Sequence, residues 1–236
     1  MMLRTQEGRG PPGPNEAPVW DGQVTAPTNH RETSMRHTIS YDSGLLAVAA
    51  IAAALLVWPM AGEAQTVTGK ARTVQATVLG PLGGTTTVLA DTGALGGPSD
   101  ALHASAPTGN VPSLLNGEAL HATTIGWPDQ VASEASLAAL TLSVAGTTLG
   151  ADSVMARALA VLGSAGVGVA NIANLSINGV PVPLSGGPNQ TIYIPGGLVV
   201  INEQQTSPTS TVVNALHVVV YGVADVLIAS ASAGIR

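Results

Sequence analysis

The sequence predicts an all-β fold, an antiparallel β-sandwich or a barrel-like closure of strands, carried by residues 65–236. Three observations predict it. Hydrophobic residues make up 45% of the chain and charged residues only 9%, with 28 Gly, 16 Pro and no Phe, a balance that suits turn-rich strands better than helices. Strand-length segments separated by Gly, Pro, Asn and Ser follow one another to the end of the chain. The connections between them are too short for crossover helices, so sequential segments pair antiparallel.

The N-terminal quarter reads differently. Residues 1–34 are rich in Pro, Gly and charge and lack an apolar period, which predicts a disordered extension. Met35 is an alternative start that would make this stretch an artefact of start assignment. From Met35 the chain reads "MRHTISYDSGLLAVAAIAAALLVWPMAGEAQT". Arg36 and His37 precede an apolar run from Gly44 to Met60, and small residues surround a cut after Ala64. Residues 35–64 are therefore expected to be a signal peptide, with Gln65 as the first mature residue. A permanent membrane anchor is the alternative, because 17 apolar residues lie at the short end of what spans a bilayer. The weak basic start and Asp42 count against cleavage; Pro59 and the small-residue site count for it.

Along residues 65–236, "TVQATVL" and "TTTVLAD" flank the turn "GPLGG", and "EALHATTIGW" follows Asn116-Gly117. "SEASLAALTLSVAG" alternates imperfectly. Because "DQVASEASLAAL" and "DSVMARALAVLG" hold good helix formers behind an acidic start, one short helix is an alternative there. "NLSI" and "VPVPL" meet at Asn178-Gly179, a dipeptide that tolerates the positive φ of a two-residue hairpin turn. Pro181 and Pro183 donate no ladder hydrogen bond, so their strand is expected at a sheet edge. "TIYI" and "LVVINEQQ" meet at Pro195-Gly196-Gly197, and "TVVNALHVVVYG" follows Ser207–Ser210. No fixed-period repeat recurs, and the single "TTT" at Thr85–Thr87 is too little for a flat threonine array.

Several functions are disfavoured by what the chain contains. Four basic residues (Lys70, Arg72, Arg157, Arg236) stand against eight acids over residues 65–236, and no basic cluster exists to neutralise phosphates. Nucleic acid is not an expected partner. The absence of Cys rules out disulfides, thiol catalysis and Cys-based zinc sites.

His217, Asp225 and Ser230 or Ser232 have the side-chain types of a nucleophilic triad, which needs the histidine within hydrogen-bond reach of the serine. Gly-x-Ser-x-Gly is missing, and simple alternation places His217 on one face with Val213, Ala215, Val219 and Tyr221. A structural histidine and no catalytic residue are the expectation. His103, His121 and His217 lack zinc spacing, and Asp91, Asp100 and Asp152 lack a calcium-loop run, so no metal and no cofactor are expected. The glycines of "LGSAGVGVANIANL", residues 162–175, lack the Lys and Ser/Thr of a phosphate loop and read as turns. Asn174 and Asn189 match the glycosylation triplet, which carries little weight here. The aromatics of residues 65–236 are Trp127, Tyr193 and Tyr221. Trp127 beside Pro128 is the candidate binding-surface residue, with a Trp capping the core as the alternative.

The stretches "SEASLAALTLSVAG", "ADSVMARA", "ANLSINGVPV", "GPNQTI", "LVVINEQQTS", "VVNALHVVV" and "GVADVLIASASAGI" together resemble the choice-of-anchor P family of bacterial exported proteins. The resemblance covers nearly all of residues 65–236. It implies a secreted or surface β-rich module, retained at the envelope in variable ways, with no defined reaction. Family members often carry a Cys after "ARA" and another near the C-terminus. Here "ARALAVLG" and "SAGIR" have none, so the resemblance implies the loss of a paired disulfide and a terminal hairpin held by packing alone. Family members tend to read Ser-Ala-His-Ala-Asp where this chain has Ser230-Ala231-Ser232-Ala233-Gly234. The chain shows no C-terminal sorting motif, which places the expected anchor, if one exists, in residues 35–64.

The expected function is that of a secreted or cell-surface structural or interaction module without enzymatic activity. Its partner would be an envelope or extracellular protein or glycan, and it would meet the membrane only through residues 35–64 if these stay uncleaved. A glycan- or ion-binding adhesion module is the first alternative. A secreted hydrolase using His217 and Asp225 is the second.

Overall fold

The computed structural model describes residues 65–80 and 83–236; the extension 1–34 and the signal or anchor segment 35–64 lie outside the described residues. The described residues are all-β, in two antiparallel sheets. β1 (Val67–Gly80) and β2 (Gly83–Asp91) form a hairpin in the first sheet. The chain then crosses to the second sheet for β3 (Ala101–Val111), β4 (Leu115–Gly126), β5 (Gln130–Val144), β6 (Thr147–Val161), β7 (Val167–Ala173), β8 (Ser176–Ile177) and β9 (Val180–Pro181). It returns to the first sheet for β10 (Gln190–Ile194), β11 (Gly197–Thr206), β12 (Ser210–Val220) and β13 (Ala224–Ile235), which closes beside β1.

The first sheet runs β10-β11-β12-β13-β1-β2 and the second β3-β4-β5-β6, with β7 and β8 both against β6 and β9 at the rim. Neither sheet closes on itself, so the barrel alternative is not realised. The inner faces pack together: β1, β12 and β13 lie against β4, β5, β6 and β7. Between them lie side chains of modest size, among them Leu115, Leu142, Leu149, Leu216, Ile228 and Val218. None of the three described aromatics is buried.

The turns follow from local chemistry. Ala145-Gly146 and Asn178-Gly179 each place two residues at positive φ (47° and 79°; 52° and 76°) inside two-residue hairpins, as the right-handed twist of the strands requires. Pro181 lies on the rim strand β9, as its missing N–H demands. Asn116-Gly117 is not a turn. The chain turns at Pro112–Leu114, and Gly117 sits within β4, where an added Cβ would stand 2.6 Å from Leu137 Cδ1.

The helical alternative is corrected: both stretches are strands. β5 is paired on both sides, by β4 and β6, and β6 is paired by β5 and by β7 with β8. Tertiary pairing overrides the helix propensity of Ala, Leu and Glu there.

The imperfect alternation in the sequence has a specific origin. A line of residues crosses the first sheet where pairing is interrupted without a change of register: Asn202, Ala215, Ala229, Thr73 and Ala90. On alternate strands the residue takes a positive φ: 53° at Asn202, 52° at Ala229 and 45° at Ala90. The second sheet has a similar line through Ala119 (48°), Ala139 (49°), Asp152 and Asn174 (52°), with a register shift between β4 and β5 at Ala119. The inward face reverses at this line in β1, β4, β5, β6, β11, β12 and β13, so Leu137 and Leu140 are both buried, as are Val213 and Leu216. The left-handed region is strained for bulky and β-branched residues, and all six positive-φ positions along these two lines are Ala or Asn.

Candidate functional site

The reversal at Ala215 helps to bring three titratable side chains together on the first sheet. On an uninterrupted strand Asn214 and His217, three residues apart, would face opposite sides. Here both reach the outer face, with Glu203 of β11 and Asp225 of β13. His217 Nδ1 lies 3.0 Å from Glu203 Oε2, and His217 Nε2 lies 3.1 Å from Asp225 Oδ1. Asn214 Nδ2 donates to the same Glu203 oxygen at 2.7 Å, while its buried Oδ1 has no hydrogen-bond partner among the described residues. The expected grouping of His217 with Val213 and Ala215 is corrected: Val213 faces the core, because the strand reverses between the two.

This geometry bears on the triad alternative. Both ring nitrogens face carboxylate oxygens, and only the imidazolium form supplies two N–H donors. Serine activation requires a ring nitrogen within hydrogen-bond reach of the hydroxyl, and both His217 nitrogens are hydrogen-bonded to carboxylates instead. Ser230 stands opposite Asn214 on the neighbouring strand, and the Ser232 hydroxyl donates to Lys70 O at 3.2 Å. Neither serine is hydrogen-bonded to His217.

A second polar group ties the edges of the two sheets. Gln204 Nε2 donates to Asn202 Oδ1 at 2.7 Å and to Gly168 O on β7 at 3.1 Å, linking the first sheet to the second. Asn189 Oδ1 accepts from Gln204 N at 2.9 Å. The Gln190 side chain accepts from Ser185 N and donates to Pro183 O, holding the loop before β10. The amides of "GPNQTI" and "INEQ" therefore serve the architecture.

The other candidates stay apart. His103 and His121 are exposed on the outer face of the second sheet, remote from His217 on the first. Among the described residues no group of three His, Asp or Glu side chains is arranged to hold a metal ion. Asp91 pairs with Lys70 at 3.0 Å and accepts from Gly93 N; Asp100 accepts from Gly96 N, and Asp152 from Asn174 Nδ2. Burial works to raise the Asp91 carboxyl, but the Gly93 N–H and the hydrogen bond and charge of Lys70, with the charge of Arg72, outweigh it and hold it below its ordinary value. The glycines of residues 162–175 serve a turn at Gly163 and close approach of the sheets at Gly168, whose added Cβ would meet Val213.

Trp127 sits 37% exposed in the β4–β5 turn, its backbone N–H donating to Gln130 O at 2.8 Å. It does not line the groove of about 470 Å³ on the outer face of the second sheet. Ile125, Leu159, Val167 and Val169 floor that groove, and the Glu134–Arg157 pair (2.7 Å) borders it.

Sequence reasoning found His217 and Asp225 but missed Glu203, Asn214 and the groove-lining Tyr193 and Val180 described below. The signal for Glu203 was the pair of stretches "INEQ" and "NALHV", whose juxtaposition needs the β11–β12 register to be seen. No family model matches the chain, and neither does any curated protein or solved structure.

Proposed function

We propose that the chain is an exported structural or interaction module of the cell surface or extracellular space, of the kind its resemblance to the choice-of-anchor P proteins implies. It works through the faces and edges of a β-sandwich and not through catalysis. The observation that carries this reading is the closed Glu203–His217–Asp225 cluster. The histidine best placed for acid–base chemistry spends both nitrogens on carboxylates of neighbouring strands, which makes it a cross-strand tie. What the domain offers a partner is then a rigid surface with exposed apolar residues, including Tyr193, Tyr221, Val167 and Val180. The partner is an envelope or extracellular protein or glycan, and residues 35–64 supply export or anchoring.

Purified full-length protein added to isolated envelopes of the host should co-sediment saturably. His217→Ala, once shown to be folded, should be retained to the same extent. Absence of retention, together with turnover of ester, peptide or glycoside substrates that His217→Ala abolishes, would replace this reading with the hydrolase.

A further inference from the structure

We propose that the free edge of β10 and the groove beside it bind an extended, uncharged polypeptide segment of a partner, which adds as a further strand to the six-stranded sheet. The proposal rests on the module reading above and names where and what such a module binds.

The groove, about 310 Å³, lies between the β8–β9 hairpin of one sheet and β10 of the other. Its walls include Pro181, Pro183, Ile192 and Pro195. Val180 (65% exposed) and Tyr193 (81%) also line it, and they are the two most exposed large hydrophobic residues of the described chain. Nothing in the local fold accounts for holding two such side chains in solvent on either side of one cleft.

The strand edge says what fits. β10 pairs with β11 alone. In a two-residue hairpin the closing pair, here Ile194 and Gly197, exchanges both hydrogen bonds. The backbone groups of Ile194, Ile192 and Gln190 therefore face β11, and those of Thr191 and Tyr193 face the open side. These two N–H and two C=O groups have the spacing of a β-ladder, which another extended backbone satisfies. β9, across the groove, carries Pro181 and so offers a poorer edge, which directs strand addition to β10. An added strand would turn alternate side chains toward the apolar walls.

Charge and polarity narrow the ligand further. No charged side chain lines the groove, so an uncharged segment is complementary and a charged one would be desolvated without a partner. The polar side chains there are Asn178, already bonded to Thr148 N, and the Tyr193 hydroxyl. A sugar would find an aromatic face but few hydrogen-bonding side chains, whereas a peptide backbone finds the strand edge.

The test uses the full chain and a capped peptide of alternating threonine and valine, followed by fluorescence anisotropy. Saturable binding is expected. Thr191→Pro should weaken it roughly tenfold or more, because it removes an outward N–H and leaves the β10–β11 ladder whole. Backbone N-methylation of the peptide at alternate residues should do the same, and this control needs no variant protein. Tyr193→Ala should weaken binding while unfolding coincides with the wild type, and Trp127→Ala should leave it unchanged. Absence of binding, or binding indifferent to both Thr191→Pro and N-methylation, overturns the proposal. So does glycan-array binding that Tyr193→Ala removes and Thr191→Pro spares, which would make the groove a sugar site. A protein that doubles in mass through this edge, reverting in Thr191→Pro, would make a second copy the occupant and equally overturn it. Envelope retention that survives Thr191→Pro, with no peptide bound, would defeat the groove and leave the module reading standing.

Discussion

Leu142→Ala should destabilise the protein by about 2–5 kcal/mol, the range for emptying a fully buried leucine site. Leu142 is 0% exposed and stands abreast of Leu115 and Leu149, each 1% exposed, on one rung of the second sheet. Truncating the middle member of three adjacent leucines leaves a void that neighbours on paired strands close poorly, because the ladder fixes their backbones. Urea denaturation should show a lower midpoint with an unchanged slope, and the melting temperature should fall by roughly 5–15 °C. The exposed neighbour Thr141 provides the control, since Thr141→Ala should change stability by about 0.5 kcal/mol or less. Equal effects at the two positions would mean that the inward face of β5 is assigned wrongly beyond Ala139.

Gly197→Ala should cost about 1–3 kcal/mol, although alanine adds only a methyl group. Gly197 is buried at the start of β11, and a Cβ there would press on the Val219 carbonyl oxygen and stand 2.9 Å from Val220 Cα. Both are backbone atoms of the paired strand β12, so relief requires the strands to part. The displacement would reach His217, two residues from Val219, and β10, which hangs on β11. Gly187→Ala is the comparison: its added Cβ meets only Ser185 Oγ at 3.8 Å, and the change should be nearly neutral. Guanidinium unfolding of the two variants, read by tyrosine fluorescence and circular dichroism, separates these outcomes.

Much of the architecture was legible because turns and strand edges are written in single residues. Asn178-Gly179, Pro195-Gly196, Ser207–Ser210 and Pro181 each announce a local backbone requirement, and each sits where that requirement is met. The alternation was harder to read, because many of the strands change phase once. A reader following period two through "VVNALHVVV" carries Val213 to the wrong face, since no residue in that stretch marks Ala215 as the crossing point. The crossing is set by a line of five strands acting together, which no single segment encodes. Asn116-Gly117 misled for the opposite reason: a strong turn dipeptide is used for close packing under Leu137.

The site was half legible in the same sense. His217 and Asp225 were conspicuous as residue types in a chain with little charge. What they do depends on Glu203, fourteen residues before His217 and brought to it only by β11–β12 pairing. The groove was not legible at all, because its walls come from the rims of two sheets that meet only in the fold.

The central claim, an exported module acting through its surface, is tested most directly by fractionating the host cells and measuring the intact mass and N-terminus of the protein in each fraction. The account predicts a chain beginning at Gln65 in the periplasm or medium, or one keeping residues 35–64 at the membrane with the β domain outside. A chain found in the cytoplasm with residues 35–64 uncut would contradict it.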